Sequence, residues 1–306
     1  MSKILVIGDI MLDKYSYGLV KRLNPEGPSQ LLNVDREEYK LGGAANVAAN
    51  VASLNSDVEL IGAIGKDDYG KRFELLCQEN HVHLNPVVLG IPTITKQRFI
   101  ETTYQQQLLR VDYEERCSMS HQDNEMVFSL LQKISPQYIV FSDYNKGMIT
   151  KELVDGVKRY AQEHDVKIFV DTKPSNLHLF EDVYLVKPNL KEFRQMVGYE
   201  ELPNTDEAIK EYGLQFVAQH KTNLVITRGN KGATLITKDG EFYSLPTKVK
   251  QVFDVTGAGD TFLAAIVYAL AHGQDLKSAV ELGNRASGIV VGKLGTSTVT
   301  PEELAI

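Results

Sequence analysis

FDVTGAGDTFLAAIVYALAHG, residues 253–273, runs from a turn of small residues straight into an apolar helical stretch. Gly257 and Gly259 lack Cβ atoms, so backbone N–H groups of the turn can converge on a ligand at close range. The first N–H groups of the following helix have no intrahelical partner, and the helix dipole makes that end positive. Gly257-Ala258-Gly259 therefore reads as a cradle for a phosphate or oxyanion. Asp260 beside it is poorly placed to bind an anion. It is well placed to take a proton from a hydroxyl attacking bound phosphorus. Taken alone, the tetrapeptide also suits a tight turn closed by a helix-stabilising Asp; the rest of the chain has to choose.

Outward from this stretch the sequence alternates. Apolar runs at 3–8, 58–65, 138–142, 167–171, 183–187 and 223–228 read as core strands. Helical patterns lie at 43–54, 69–79, 121–133, 150–163 and 205–220, with two more at 259–272 and 275–291. ATLITK and EFYSLP, separated around Asp239-Gly240, read as a hairpin. Continuous apolar strands with helices between them predict a mainly parallel sheet covered on both faces, an α/β fold. Segments at about 12–40 and 92–112 are polar and β-prone and fit this alternation poorly; they are expected to form a small β lid on a single domain spanning 1–306. Polar residues gather after the strands, where ligands bind in open α/β sheets.

Composition narrows the partners. The chain has 306 residues, 43% hydrophobic and 24% charged, with a net charge of −7. Mixed charge without a basic field argues against nucleic acid. The two cysteines, Cys77 and Cys117, supply no disulfide framework. The first apolar run is broken by Gly8 and Asp9, so it reads as a buried strand, with no membrane partner and a cytoplasmic protein expected.

In LGGAANVAANVASL, 41–54, Gly42 and Gly43 let backbone approach a polar ligand, and Asn46 offers a donor and an acceptor to sugar hydroxyls. GGAAN, then KPNLKEF with Asn189 and Glu192 in an N-x-x-E pattern, then DVTGAGD, resemble in that order the signatures of the ribokinase-like (PfkB) carbohydrate kinases. The resemblance covers 3–304. It implies a three-layer α/β/α sandwich with a β lid over the sugar, ATP as co-substrate, and Mg²⁺ held largely through water by Glu192 with Asn189. It also implies ATP contacts at Asn189, Thr227, Arg228, Gly229, Gly232 and Asn284, with Asp260 as catalytic base beside Gly257, Ala258 and Gly259. Asp9 and Asp13 match hydroxyl-binding acids, and Asp254 is read as positioning its loop or helping a monovalent cation bind. By analogy with relatives, a homodimer through the lids is expected.

Further stretches, GDIMLDKYSYG (8–18), RLNPEGP (22–28), PTITKQRF (92–99), QQLLRVDYEE (106–115), SDYNKG (142–147) and VVGKLGTSTVTPEEL (290–304), resemble the branch of this family acting on heptose phosphate. That branch phosphorylates C1 of D-glycero-β-D-manno-heptose 7-phosphate, in ADP-heptose and lipopolysaccharide core precursor synthesis. This chain is expected to perform the phosphorylation step only. The 7-phosphate calls for cations at the far end of the pocket, and Arg98, Arg110, Lys146 and Lys173 are the candidates. A kinase for another sugar or sugar phosphate, such as fructose phosphate or ribose, stays open, as does a non-catalytic sugar or nucleotide sensor. A dinucleotide-binding dehydrogenase fits poorly, because the first strand ends in GDIMLD without G-x-G-x-x-G.

Overall fold

The computed structural model describes residues 2–247, 252–293 and 295–306; Leu294, within the 290–304 stretch, lies outside them. Nine strands build the main sheet: β1 (Ile4–Gly8), β4 (Val58–Gly65), β5 (His83–Leu89), β8 (Tyr138–Ser142), β9 (Lys167–Asp171), β10 (Leu185–Val186), β11 (Asn223–Thr227), β12 (Ala233–Ile236) and β13 (Phe242–Leu245). Their order is β13-β12-β11-β10-β9-β8-β1-β4-β5. From β11 to β5 every pairing is parallel, whereas β12 and β13 close one side as the antiparallel hairpin expected around Gly240.

Side chains alternate across a strand, and this sheet uses both faces. Ile4 and Val6 of β1 pack into one core with α1 (Ala44–Ser53), α2 (Asp68–Glu79), α7 (Ala258–Ala271) and α8 (Leu276–Val290). Leu5 and Ile7 pack into the opposite core with α3 (His121–Ile134), α4 (Lys151–His164), α5 (Leu190–Met196) and α6 (Asp206–His220). The short α9 (Pro301–Leu304) joins the first core through Leu304. This is the three-layer α/β/α sandwich.

Strand β5 has no counterpart in the sequence reading. HLNPVVL carries Pro86 and polar residues, a composition that only a sheet edge tolerates, and β5 is the edge. A second sheet joins β2 (Ile10–Leu23), β3 (Gln30–Gly43), β6 (Thr95–Glu101) and β7 (Gln106–Tyr113) in the order β3-β2-β6-β7. It is anchored where β2 and β3 meet the main domain, with Ile10 opposite Gly43. Gly43 has φ +60 and leads directly into α1; a Cβ there would lie 2.3 Å from the Asp9 carbonyl oxygen, so the position requires glycine.

Candidate active site

Beyond the carboxyl ends of β8 to β11 lies a cleft of about 890 Å³, lined by Asp171, Lys187, Glu192, Thr227, Gly257 and Asp260 among others. Gly257 (φ +77) caps α7, and no side chain caps that helix, so its first N–H groups face the cleft region unblocked by a capping oxygen. A Cβ on Gly259 would come 3.4 Å from the Lys187 ammonium, which therefore stands beside the turn.

Asp260, on the first turn of α7, is 5% exposed. Its Oδ2 accepts the Asn46 Nδ2–H at 2.8 Å and its Oδ1 accepts the Tyr144 hydroxyl at 2.9 Å. Burial, reinforced by the Asp171 carboxylate, pushes its pKa up to about 6, against the pull of Asn46, Tyr144 and Lys187. An acid poised near neutrality, ionised at pH 7 yet basic enough to accept a proton, suits general-base chemistry.

Lys187 is 3% exposed and pairs with Asp171 at 2.8 Å. Burial also raises Asp171, with Lys187 opposing the shift. Neither Lys187 nor Tyr144 stood out in the sequence. The available signal was their position: each follows an apolar strand directly, in VYLVK and in YIVFSDY.

The remaining candidates divide. Thr227, Arg228, Gly229, Gly232, Asn189 and Asn284 line the same cleft. The Arg228 guanidinium, however, is turned to Asn204 (2.8 Å), Asp206 (2.5 Å) and Thr234 (2.9 Å), which uses its donors inside the protein. Asn284 donates to the Leu245 and Pro246 carbonyls, tying α8 to the end of β13. Asn189 and Glu192 form a capping box on α5: Asn189 Oδ1 accepts the Glu192 N–H, and Glu192 Oε2 accepts the Asn189 N–H. The other Glu192 oxygen meets Lys173 at 2.6 Å.

The sugar-side candidates each have partners within the protein. Asp9 is buried and accepts the N–H groups of Tyr144, Lys146 and Met148, so its carboxylate organises the loop that carries Tyr144. Desolvation raises its pKa despite those three bonds. Asn46 spends its amide N–H on Asp260. Lys173 sits in the main cleft beside Glu192 rather than with Arg98, and Thr172, just after β9, donates to Asp143 at 2.6 Å. Asp13 pairs with Arg98 at 2.5 Å, and its Oδ2 lies 2.5 Å from where a Cβ on Gly42 would fall. Arg110 pairs with Asp112, and Lys146 with Glu114. Asp254 accepts from Thr256 and from the Gly295 N–H, clamping the loop before Gly257.

A buried acid beside a glycine turn, at the carboxyl ends of a parallel sheet, is the arrangement a phosphotransferase acting on an alcohol group needs. Residues 1–303 match the family described as pfkB family carbohydrate kinase, and the chain belongs to that family: it is an ATP-dependent sugar kinase. It is 41% identical over 307 residues to the bifunctional protein HldE of Haemophilus influenzae, and 40% identical to that of Actinobacillus pleuropneumoniae; each match covers 99% of this chain and 63% of the relative. The chain thus spans less than two thirds of those relatives. Among solved structures, phosphofructokinase-2 from Escherichia coli in complex with potassium matches with a TM-score of 0.84 and 19% identity, covering 100% of this chain and 97% of that one. Ribokinase from Thermotoga maritima matches with a TM-score of 0.74 and 20% identity, covering 100% and 98%. No helix among the described residues is long and apolar enough to cross a membrane.

Proposed function

We propose that this kinase transfers the γ-phosphoryl group of ATP to the C1 hydroxyl of D-glycero-β-D-manno-heptose 7-phosphate, giving the 1,7-bisphosphate, a step toward ADP-heptose for the lipopolysaccharide core. The observation that carries the transfer is Asp260, buried and near neutrality at the mouth of the Gly257–Gly259 turn. The attacking O1–H gives its proton to an Asp260 oxygen as the O–P bond forms and ADP departs. Main-chain N–H groups at the start of α7 and the Lys187 ammonium face the charge that spreads over the phosphoryl oxygens. Thr227, Gly229, Gly232 and Asn284 are the nucleotide wall. Asp13 is left to the sugar hydroxyls, with Gly42 and Gly43 giving close backbone approach.

The described residues hold no cluster of three or more His, Cys, Asp or Glu able to bind a metal ion. Asp171 and Glu192 nevertheless face the cleft, and one or two carboxylates plus phosphate oxygens and water are the donor set Mg²⁺ takes. Bound there with ATP, the ion would neutralise phosphate charge. Asp254, whose oxygens accept from its own loop and from the Gly295 N–H, positions the loop before Gly257 and could in that way help a monovalent cation bind beside it. A homodimer through the small sheet fits its exposed Val34 and Leu109, and light scattering checks it.

The heptose reading is supported by the sequence stretches shared with that branch. Purified protein supplied with ATP and either heptose 7-phosphate, fructose 6-phosphate or ribose should prefer the first; preference for another acceptor overturns the substrate. A second expectation concerns Tyr144. Its hydroxyl stabilises the ionised base, so Tyr144→Phe raises the pKa of Asp260, whose other charged neighbours are Asp171 and Lys187. The acid limb of the kcat–pH profile should move upward by about one unit, the scale of one hydrogen bond to a charged group. An unmoved limb would mean that Tyr144 does not act on the base.

A further inference from the structure

Strand β1 runs out into Asp9, and three segments of chain meet on that one residue. Its N–H donates to the Ser142 carbonyl at 3.1 Å, at the end of β8. Its carbonyl accepts the Ala44 N–H at 3.0 Å, at the first residue of α1. One carboxylate oxygen accepts the N–H groups of Tyr144 and Lys146, each at 2.9 Å, and the other accepts that of Met148 at 3.3 Å. Asn145 (φ +56) and Gly147 (φ +104) are left-handed, so the N–H groups between and beside them converge, as backbone amides do in an anion nest. The loop is pinned from its far side too. A Cβ on Gly147 would lie 2.2 Å from the Cys117 carbonyl oxygen, and the Cys117 N–H donates to the Lys146 carbonyl at 2.7 Å.

Both hydrogen-bonding partners of the base hang from this residue. Tyr144 heads the loop and donates to one Asp260 oxygen; Asn46, on the first turn of α1, donates to the other. The first is tied to Asp9 through its carboxylate, the second through its carbonyl. Asp143 and Tyr144 line the cleft, whereas Asp9 is not among the lining residues. Each of its four polar atoms already has a backbone partner. That geometry holds chain in place and leaves little for a sugar.

We infer that Asp9 is a positioning residue for the general base: it places Tyr144 and Asn46 on the Asp260 carboxylate and makes no contact with the acceptor. This rests on Asp260 acting as the base and adds the group that sets its surroundings. A carboxylate serves here better than an amide, because all three loop donors are N–H groups and an Asn would turn its own N–H toward at least one of them. Loosening the loop acts on Asp260 with a definite sign. Tyr144 stabilises the ionised acid, so losing its hydrogen bond moves the Asp260 pKa up, whereas removing the negative charge of Asp9 would by itself move it down. The other titratable groups are Asp143 and Cys117 beside Asp9, with Asp171 and Lys187 beside Asp260, and the substitution leaves all four in place.

The test compares wild type, Asp9→Asn and Asp9→Ser, each with and without Tyr144→Phe, using ATP and whichever of the three acceptors above wild type prefers. Steady-state kinetics are paired with carboxyl-carbon NMR of aspartate-labelled protein, the Asp260 resonance being assigned by its loss in Asp260→Asn. Asp9→Asn should lower kcat by about tenfold, the scale of a displacement of part of an ångström at a reacting centre. KM for the acceptor should stay within about threefold. The Asp260 resonance should titrate higher than in wild type by up to about one unit, the shift expected for Tyr144→Phe. Once Tyr144 is Phe, Asp9→Asn should change kcat by less than about twofold, because the two substitutions break one linkage. Asp9→Ser, whose hydroxyl can turn its oxygen to the loop, should show the same signature and replaces Asp9→Asn if that variant folds poorly. An unmoved or lowered Asp260 titration, or equal losses of kcat in both backgrounds, overturns the assignment. So does an acceptor KM raised about tenfold at unchanged kcat, which would make Asp9 a ligand of the sugar. Near-normal turnover in Asp260→Asn overturns the base instead; the titration, which needs no turnover, then decides whether Asp9 sets the surroundings of Asp260.

Discussion

Asp260→Asn is expected to reduce turnover by at least about 10²-fold, the lower range for losing a general base, while ATP affinity stays within several-fold. Asn keeps the shape and can still meet Asn46 and Tyr144, but it cannot accept the hydroxyl proton. The same substitution should stabilise the fold at neutral pH. Burial raises Asp260 from 3.8 to about 6, so its contribution to stability is complete below pH 4 and is lost as pH rises through 6. At about 1.4 kcal/mol per unit, the variant gains up to about 3 kcal/mol at pH 8. Thermal unfolding at pH 8 and pH 4 checks this: the variant's advantage should vanish at the lower pH. Near-normal turnover in Asp260→Asn would falsify the catalytic assignment.

Gly257→Ala should be nearly as damaging to turnover, for a different reason. At φ +77 an alanine carries about 1–2 kcal/mol of left-handed strain. Its Cβ would also lie 2.6 Å from Asn46 Nδ2, the atom that donates to Asp260. Asn46 must give way, and the base loses one of its two hydrogen-bonding partners while the N–H groups of the turn shift. Displacements of about 1 Å at a reacting centre cost on the order of 10²-fold, so kcat should fall by that factor. The melting temperature should drop only a few degrees, in keeping with the strain alone. Retention of full activity would show that the turn does not grip the transferring group, and single-turnover kinetics with ATP would locate the lost step.

Much of the fold was legible because its signals are local. Apolar runs of five to eight residues marked most of the main sheet, and the Asp239-Gly240 turn marked the hairpin. The edge strand β5 escaped because an edge tolerates Pro86 and polar residues that a central strand would exclude. The N-x-x-E pattern was visible, yet its structural content is a capping box, a local signature readable from the spacing of Asn189 and Glu192. Arg228 shows the opposite limit. Its position beside the cleft follows from the strand, but the direction of its guanidinium depends on Asn204 and Asp206, which a strand register does not specify.

The sequence by itself determined the alternation of strands and helices, the glycine turn before α7 and the acid that follows it, since each depends on residues within one or two turns of chain. Only the tertiary structure decided which groups surround that acid. Asn46 and Asp260 are 214 positions apart, and Tyr144 is 116 positions from the same carboxylate. Such pairs meet because parallel strands bring distant loops to one edge of the sheet, and the burial that results, not the residue type, lifts Asp260 toward neutrality.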